Sequence, residues 1–439
     1  MKPALLWLFP EGWDEIAMRD AAPLRDRYDV VTEGFDLFRF PENAAILWFD
    51  ARRFVDRMAR LVRKRGIVGV VSTHEQYGAL IAALVARRAG LPGADPRAVA
   101  LAQHKYYARR RLDEACPGVS PRFGVLPQTF ADTRVRDVDM PVPFPCFVKP
   151  VKAAYSVLAR RVDSLDELNR HLTFRRWERH IIRRLVRPFG DLMREWPEFE
   201  VPAEAMLVEG LLDGVQVNVD GWFERGAPSL FGVVDSVMHP GTTAFLRFEY
   251  PSRLPDDVQA RLSQAAIDAM RAVGYDHGAF NVELFWQPSD GAIRVIEINP
   301  RFAAQFGDLY EKVDGANPYD VVVALAAGES PTWRRRAGSH GAAASFVFRE
   351  FDGAVKIAPE RAGIEWLKST HPDAHLQTFI KHGQSRWREM RWLGSYRYAI
   401  VNLGGADRGD LMNRYDEVCR NVSFDPRPQR IEAPVDGKR

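Results

Sequence analysis

The residues best equipped for chemistry lie close together near the middle of the chain, in the stretch Gly278–Phe306, GAFNVELFWQPSDGAIRVIEINPRFAAQF. Glu283, Glu297 and Asn299 offer two carboxylates and an amide oxygen, a hard donor set of the kind Mg²⁺ takes. Mg²⁺ needs few protein ligands when phosphates complete its shell. Arg301 can hold an anion beside them with its planar fork. Glu297, Asn299 and Arg301 alternate, and side chains two apart in an extended segment share a face. Two strand-like runs, Ala279–Trp286 and Ile293–Ile298, flank Pro288-Ser289-Asp290-Gly291. A Gly-containing turn between β-branched and aromatic runs is the pattern of a hairpin, and a hairpin brings Glu283 across to the other three. Val282, Leu284, Ile296 and Ile298 interleave with them, so the carboxylates are expected in a packed sheet. A buried carboxylate is costly there unless paired or coordinated.

The sequence Glu283, then Glu297-Ile298-Asn299-Pro300-Arg301, resembles the metal-binding end of the ATP-grasp superfamily. That group includes biotin carboxylases, carbamoyl-phosphate synthetases, D-alanine–D-alanine ligases and L-amino-acid ligases. The pattern here is closest to the L-amino-acid ligases and the biotin carboxylase-like members.

Positioning such a hairpin takes a large scaffold. The chain has 439 residues, enough for about two to four domains. It is 46% hydrophobic and 27% charged, in the range of soluble globular proteins. The net charge of +3 is too mild to argue for nucleic acid. Cys116, Cys146 and Cys419 are far apart with no C-x-x-C. That argues against a disulfide framework or structural zinc and fits a reducing cytoplasm. The start, MKPALLWLFPEGWDE, is apolar only briefly and then acidic, so it reads as a first strand, not a signal peptide. No run approaches the roughly 18 apolar residues of a membrane span.

Apolar runs at 4–9, Ala44–Phe49 and Ile67–Ser72, with helical patterns at Phe54–Lys64 and Gln76–Ala89, predict a small parallel α/β unit. It has no G-x-G-x-x-G after its first strand, so no dinucleotide site is expected. Thr73, His74 and Glu75 fall at a strand end, where open α/β sheets place ligands; a polar helix cap is the other reading of them. Lys105 opens a helical segment, KYYARRRLDEA. Cys146–Val148 is strand-like and runs into Lys149-Pro150, and Val157–Val162 is a second strand after a turn. In Ala205–Gly221 a strand ends at Glu209, turns at Asp213-Gly214 and resumes. Pro251–Gly274 is an amphipathic helix with Asp256 and Asp257 in its first turn and Gly274 at its end.

The resemblance gives these elements roles. It implies that Lys105 and Lys149 contact the nucleotide phosphates and that the loop after Lys149 folds over them as a lid. The family's lid is glycine-rich, whereas Val151–Tyr155 has no glycine and only Ser156 keeps the family's serine. That departure bears on lid geometry and turnover more than on nucleotide binding. The resemblance further implies that Glu209 accepts from the adenine amino group, that the backbone at Leu211 reads the ring edge, and that Gln216 bonds the ribose hydroxyls. Asp166–Trp196 carries apolar residues at helical spacing, and Arg175, Arg176, Arg179, Arg183, Arg184 and Arg187 load the remaining surface. A solvated helix face is one reading. An anionic substrate, an acidic partner such as a carrier domain, or a membrane surface are others. His239 and Arg247 are further candidates for phosphate or substrate.

The expected architecture is α/β and α+β multidomain. An N-terminal parallel α/β domain spans 1–103, and a two-lobed ATP-grasp module of antiparallel sheets with helices spans 104–330, its lid at about 140–205. A small C-terminal α+β lobe spans 331–424, with strands near Ala344–Arg349, Gln377–Lys381 and Arg397–Asn402. The charged, proline-rich tail 425–439 is expected to be disordered. The implied activity is ATP- and Mg²⁺-dependent (or Mn²⁺-dependent) joining of a carboxylate, activated as an acyl phosphate, to an amine or similar nucleophile. Glu283, Glu297 and Asn299 would hold the metal. Lys105, Lys149, Ser156, Glu209, Leu211 and Gln216 would bind nucleotide, and Arg301 with Lys149 would act on the transferring group. Partners are small-molecule carboxylates and amines, with no membrane and no nucleic acid. A homodimer and a carrier-protein partner stay open. The alternatives are a biotin carboxylase-like enzyme acting on bicarbonate and a non-catalytic ATP-binding protein.

Overall fold

The computed structural model describes residues 2–20, 26–37, 39, 41–129, 135–136, 139–153, 157–351, 359–379 and 394–422. The tail expected to be disordered, 425–439, and Ser156 lie outside them.

The chain begins with β1 (Ala4–Leu8), α1 (Gly12–Asp20), β2 (Asp29–Glu33), α2 (Ala51–Arg65), β3 (Ile67–Val71) and α3 (Gly78–Ala89). The three strands form a parallel sheet in the order β2-β1-β3. Local sequence explains α2 well. Asp50 caps it by accepting from Arg53 N at 3.0 Å, and Phe54, Val55, Met58 and Val62 form its buried stripe. Gly66 ends it at φ 60°. The strand order reverses between β1 and β3, so the loops after them, Phe9–Glu11 and Ser72–Tyr77, share the crevice where such sheets take ligands.

One apolar run differs from its predicted form. Ala44–Phe49 is no strand; Glu42–Leu47 is a 3₁₀ helix, and the third strand is β2 instead. A run this short does not distinguish strand from helix by periodicity. Only Ile46 of the 3₁₀ helix is buried, and Trp48 is 78% exposed.

Next come α4 (Pro96–Gln103), α5 (Lys105–Ala115), β4 (Phe123–Thr129), β5 (Cys146–Pro150), β6 (Arg160–Val162), α6 (Leu165–His171), α7 (Arg176–Met193) and β7 (Ala205–Gly210). Strands β4-β7-β5-β6 make an antiparallel sheet. The arginine-rich segment is thus two helices. The longer, α7, buries Ile182, Val186, Phe189 and Leu192 and packs against α2, leaving Arg175, Arg176, Arg183 and Arg187 outward.

The remaining strands are β8 (Val215–Glu224), β9 (Ala227–Met238), β10 (Phe245–Tyr250), β11 (Gly278–Trp286), β12 (Ile293–Asn299), β13 (Ala342–Glu350), β14 (His375–Thr378) and β15 (Tyr396–Gly405). They form one eight-stranded sheet in the order β12-β11-β8-β9-β10-β13-β15-β14, antiparallel throughout. The strands expected in a C-terminal lobe therefore extend the sheet that carries the hairpin. Helix α8 (Asp256–Ala272) packs across β9, β11 and β12, and α9 (Gly307–Asp314) lies on β13 and β15. Helix α10 (Pro318–Ala326) touches both β3 and β11, joining the small parallel sheet to the large one. Two further helices, α11 (Arg361–Thr370) and α12 (Arg408–Asn421), complete the described chain.

Candidate functional site

The predicted hairpin forms as β11 and β12. Its turn closes by Gln287 N donating to Ala292 O at 2.8 Å, with Gly291 at φ 70°. Glu283 stands opposite Glu297, and Asn281 opposite Asn299. Asn299 Nδ2 donates to Asn281 Oδ1 (3.2 Å), Asn281 Nδ2 to Asn218 Oδ1 (3.0 Å), and Asn218 Nδ2 to Ser236 Oγ (2.8 Å). This amide ladder runs across β12, β11, β8 and β9 and holds the side chain of Asn299 by its amide nitrogen, leaving its carbonyl oxygen outside the ladder. Gln216 Nε2 donates to Glu283 Oε2 at 3.3 Å. Burial, and then the facing charge of Glu297, raise the Glu283 carboxyl to about 8. Burial works the same way on Glu297, but Lys105 and Lys149 outweigh it and hold that carboxyl low.

Two other elements bring three cations to the hairpin. Lys105, at the start of α5, donates from Nζ to Ala153 O of the lid loop (2.7 Å) and meets Glu297 Oε1 at 2.8 Å. Lys149, on β5, meets Glu209 Oε2 at 2.7 Å and reaches Ile296 O at 3.3 Å. Arg109, one helical turn after Lys105, pairs with the other oxygen of Glu209. It also donates to Val295 O (2.6 Å) and Ile296 O (2.8 Å). Burial alone would raise Glu209; Arg109 and Lys149 reverse that and hold it at about 2. Burial pushes Lys149 down, with Glu209 acting against it.

Arg301 follows the end of β12 and crosses to the small parallel sheet, where its Nη2 meets Glu75 Oε2 at 2.6 Å. Glu75 is fixed at its main chain as well. Its carbonyl accepts from Gln103 Nε2 (2.7 Å) and from Lys152 Nζ (3.1 Å). Its neighbours serve structure: His74 Nδ1 accepts from Gly78 N at the start of α3 (3.3 Å), and Thr73 Oγ1 donates to the buried Asp14. Of the Thr73–Glu75 segment, His74 thus serves the start of α3, and Glu75 contacts the residue that follows the hairpin. Burial, then Lys152 and Arg301, lower His74 to about 3, so its ring is neutral.

The structure brings Lys105, Lys149, Glu209, Gln216, Glu283, Glu297, Asn299 and Arg301 into one cluster. Leu211 sits apart at the end of β7, an exposed apolar residue at 39%. Arg247 pairs with Glu249 at 2.5 Å, on the sheet face opposite Asn218 and Ser236. Sequence reading passed over Arg109, Glu75 as a partner of Arg301, Lys152 and the amides Asn281 and Asn218. Arg109 had a signal: on a helix that turns Lys105 inward, the residue four later shares its face. Asn281 had one too, two residues before Glu283 on the same strand face.

The donor set fits a hard divalent cation. Glu283 and Glu297 are paired across the two strands, Lys105 contacts Glu297, and Asn299, two residues after Glu297 on the same strand, adds an amide oxygen to the donor set. Among the described residues no group of three or more His, Cys, Asp or Glu side chains is arranged to hold a metal.

Residues 142–308 match the family model described as the ATP-grasp domain. Over 290 residues the chain is 30% identical to carnosine synthase 1 of Gallus gallus, covering 63% of this chain and 29% of that one. It is 26% identical to the y4rH protein of Sinorhizobium fredii over 333 residues, 75% of this chain and 62% of that one. The chain thus spans less than two thirds of either relative. The L-amino acid ligase of Bacillus licheniformis shares the fold with a TM-score of 0.68 at 15% identity, over 96% of this chain and 98% of that one. The matched segment 142–308 contains Lys149, Glu209 and the whole carboxylate hairpin, so the resemblance to the ATP-grasp superfamily is borne out over that segment, and the fold of the L-amino acid ligase extends over the rest of the chain.

Proposed function

We propose that this protein is an ATP- and Mg²⁺-dependent ligase that activates a carboxylate as an acyl phosphate and couples it to an amine, releasing ADP and phosphate. The observation that carries this reading is the position of Lys105. Its ammonium touches Glu297 of the hairpin and the Ala153 carbonyl of the loop after Lys149 at once, so it links the two elements that the family resemblance assigns to the metal and the phosphates. The likenesses to carnosine synthase and L-amino acid ligase support a ligase reading.

Glu283, Glu297 and Asn299 hold the metal, which, when bound, offsets phosphate charge; Mn²⁺ suits the same oxygens. Lys105 and Lys149 bind the phosphates. The carboxylate of Glu209 is taken by Arg109 and Lys149, so its part in nucleotide binding is to fix Lys149. The ring is read by the hinge main chain through Leu211. Gln216, bonded to Glu283, stands at the ribose side of the carboxylates. Arg301 exchanges Glu75 for the carboxylate of the acid. A carboxylate oxygen then attacks the γ-phosphorus, the bond to ADP breaks, and an acyl phosphate forms. The amine attacks the acyl carbon, the C–N bond forms, the C–O bond breaks and phosphate leaves. The protein contributes positioning and charge, not a covalent intermediate.

The test is ADP release with Mg²⁺ and ATP across pools of amino acids, small carboxylates and bicarbonate. Release that needs both a carboxylate and an amine is expected. Release with bicarbonate alone would replace the reading with a carboxylase. Glu297→Gln should lower turnover about a hundredfold or more with little change in melting temperature. A variant that turns over at the wild-type rate would remove the metal assignment.

A further inference from the structure

The cations of the site differ in what balances them. Lys105 faces Glu297, Lys149 and Arg109 share Glu209, and Arg301 faces Glu75. Lys152 has no such partner. It is 2% exposed. Its ammonium donates to the Glu75 carbonyl at 3.1 Å and lies 4.9 Å from the centroid of the Phe189 ring. That carbonyl already accepts a shorter bond from Gln103. Among the described residues no carboxylate comes within 4.0 Å of the Lys152 nitrogen. A carbonyl and an aromatic face compensate a buried charge only in part. A buried cation left in that state, one residue from the carbonyl that holds Lys105, marks the place of an anion supplied from outside.

The surroundings say which anion. The charges that act on Lys152 are those of Lys105, Glu75, Glu297 and Arg301; the nearby rings of His74 and His104 are both neutral. Lys152 precedes Ala153, whose carbonyl holds Lys105, and shares Glu75 with Arg301, so it is linked both to the phosphate lysine and to the arginine that receives the acid. It also lies in the loop that lacks the glycines of a lid. Burial, then the charge of Lys105, bring its ammonium down to about 7, which agrees with a missing counter-ion.

We propose that Lys152 is a third phosphate-binding lysine, holding the anionic oxygens of the phosphoryl group that passes from ATP to the acid, in place of a glycine-rich lid. It rests on the nucleotide reading above. Lys105 and Lys149 are tied to the carboxylates of Glu297 and Glu209 and serve the whole triphosphate, whereas Lys152 serves its terminal group.

Equilibrium binding of AMP-PNP and of ADP, each with Mg²⁺, to wild type, Lys152→Met and Lys152→Arg tests this, with the melting temperature of each ligand-free protein alongside. In Lys152→Met the affinity for AMP-PNP should fall about tenfold or more, and that for ADP less than about threefold. The Arg variant should keep most of the AMP-PNP affinity. The ligand-free Met variant should melt no lower than wild type, because it removes an uncompensated buried charge. A lower melting temperature with unchanged affinities would make Lys152 a structural anchor of the loop and overturn the proposal. An equal loss for both nucleotides would overturn it too. Wild type that binds neither nucleotide would overturn the nucleotide reading and this one together. Wild type that binds both, with Lys152→Met unchanged, would overturn this one alone.

Discussion

Glu209 accepts from Arg109 through one oxygen and from Lys149 through the other, with all three side chains nearly inaccessible to solvent. Removing one charge from such a group leaves the others buried without balance, which costs about 3–5 kcal/mol. Glu209→Gln should therefore fail mainly by unfolding, measured as a large drop in melting temperature, not as a changed preference for the nucleotide base. Glu75→Gln belongs to the opposite class. Its carboxylate and the guanidinium of Arg301 are each about an eighth exposed, and the residue is held in place by its carbonyl whatever its side chain carries. That variant should melt close to wild type. It should also change the KM for the acid more than the KM for ATP, because it alters only what competes for Arg301. Equal changes in the two constants would argue that Glu75 shapes the whole cleft. The contrast shows how burial sorts the charged residues of the site: the deepest pair fixes geometry, and the shallower pair is free to exchange partners.

At the scale of elements, the site depends on close approaches that side-chain patterns do not announce. Gly69 on β3 is one. A Cβ there would stand 2.7 Å from Ala326 O, at the end of α10, and 2.9 Å from Leu5 Cδ2. Backbone cannot yield as a flexible side chain does, so Gly69→Ala should cost about 1–3 kcal/mol, read as a shift of the unfolding midpoint in urea. An unchanged midpoint would mean that α10 moves off β3 at no cost. The hairpin, the body of α2 and the amphipathic α8 were legible because each is written in local periodicity, alternation or a 3.6-residue stripe; the caps of α2, Asp50 and Gly66, went unread, so its expected run Phe54–Lys64 falls short of Ala51–Arg65. The 3₁₀ helix at Glu42–Leu47 and the half-exposed β2 were not, since neither run is long enough to show a period. Of the site, the carboxylates and the amide were legible from types and spacing, whereas Lys105 and Lys149 were singled out only through the family resemblance. Glu75 meeting Arg301 was not, because the two are 226 residues apart and come together only through the packing of one sheet on another.

At the scale of the whole molecule, the small parallel sheet is joined to the large one by buried polar groups as well as by apolar packing. Asp14, wholly buried near the start of α1, accepts from Thr73 Oγ1 (2.6 Å) at the end of β3, from Tyr319 OH (2.8 Å) on α10 and from Glu11 N (2.8 Å). One carboxyl thus ties the end of β3 to the helix that lies on both sheets. Burial raises it to about 6 in spite of those donors. The sign follows from linkage: the folded state binds this proton more tightly than the unfolded chain, whose carboxyl titrates near 3.8. Above pH of about 6 the fold carries an ionised, buried carboxylate at a cost. Below it the group is protonated in the fold alone, and stability rises as pH falls toward the unfolded value. Over that window the gain from Asp14 amounts to about 3 kcal/mol. Asp14→Asn cannot titrate, and it gives up an acceptor facing the Glu11 amide or Tyr319. It should melt below wild type at every pH, and the gap should widen as pH falls from about 7.5 to about 5. Thermal unfolding of the two proteins across that range checks this. A gap that narrows toward acid would mean that Asp14 is ionised in the fold throughout, and that charge, not a shared proton, holds the two sheets together.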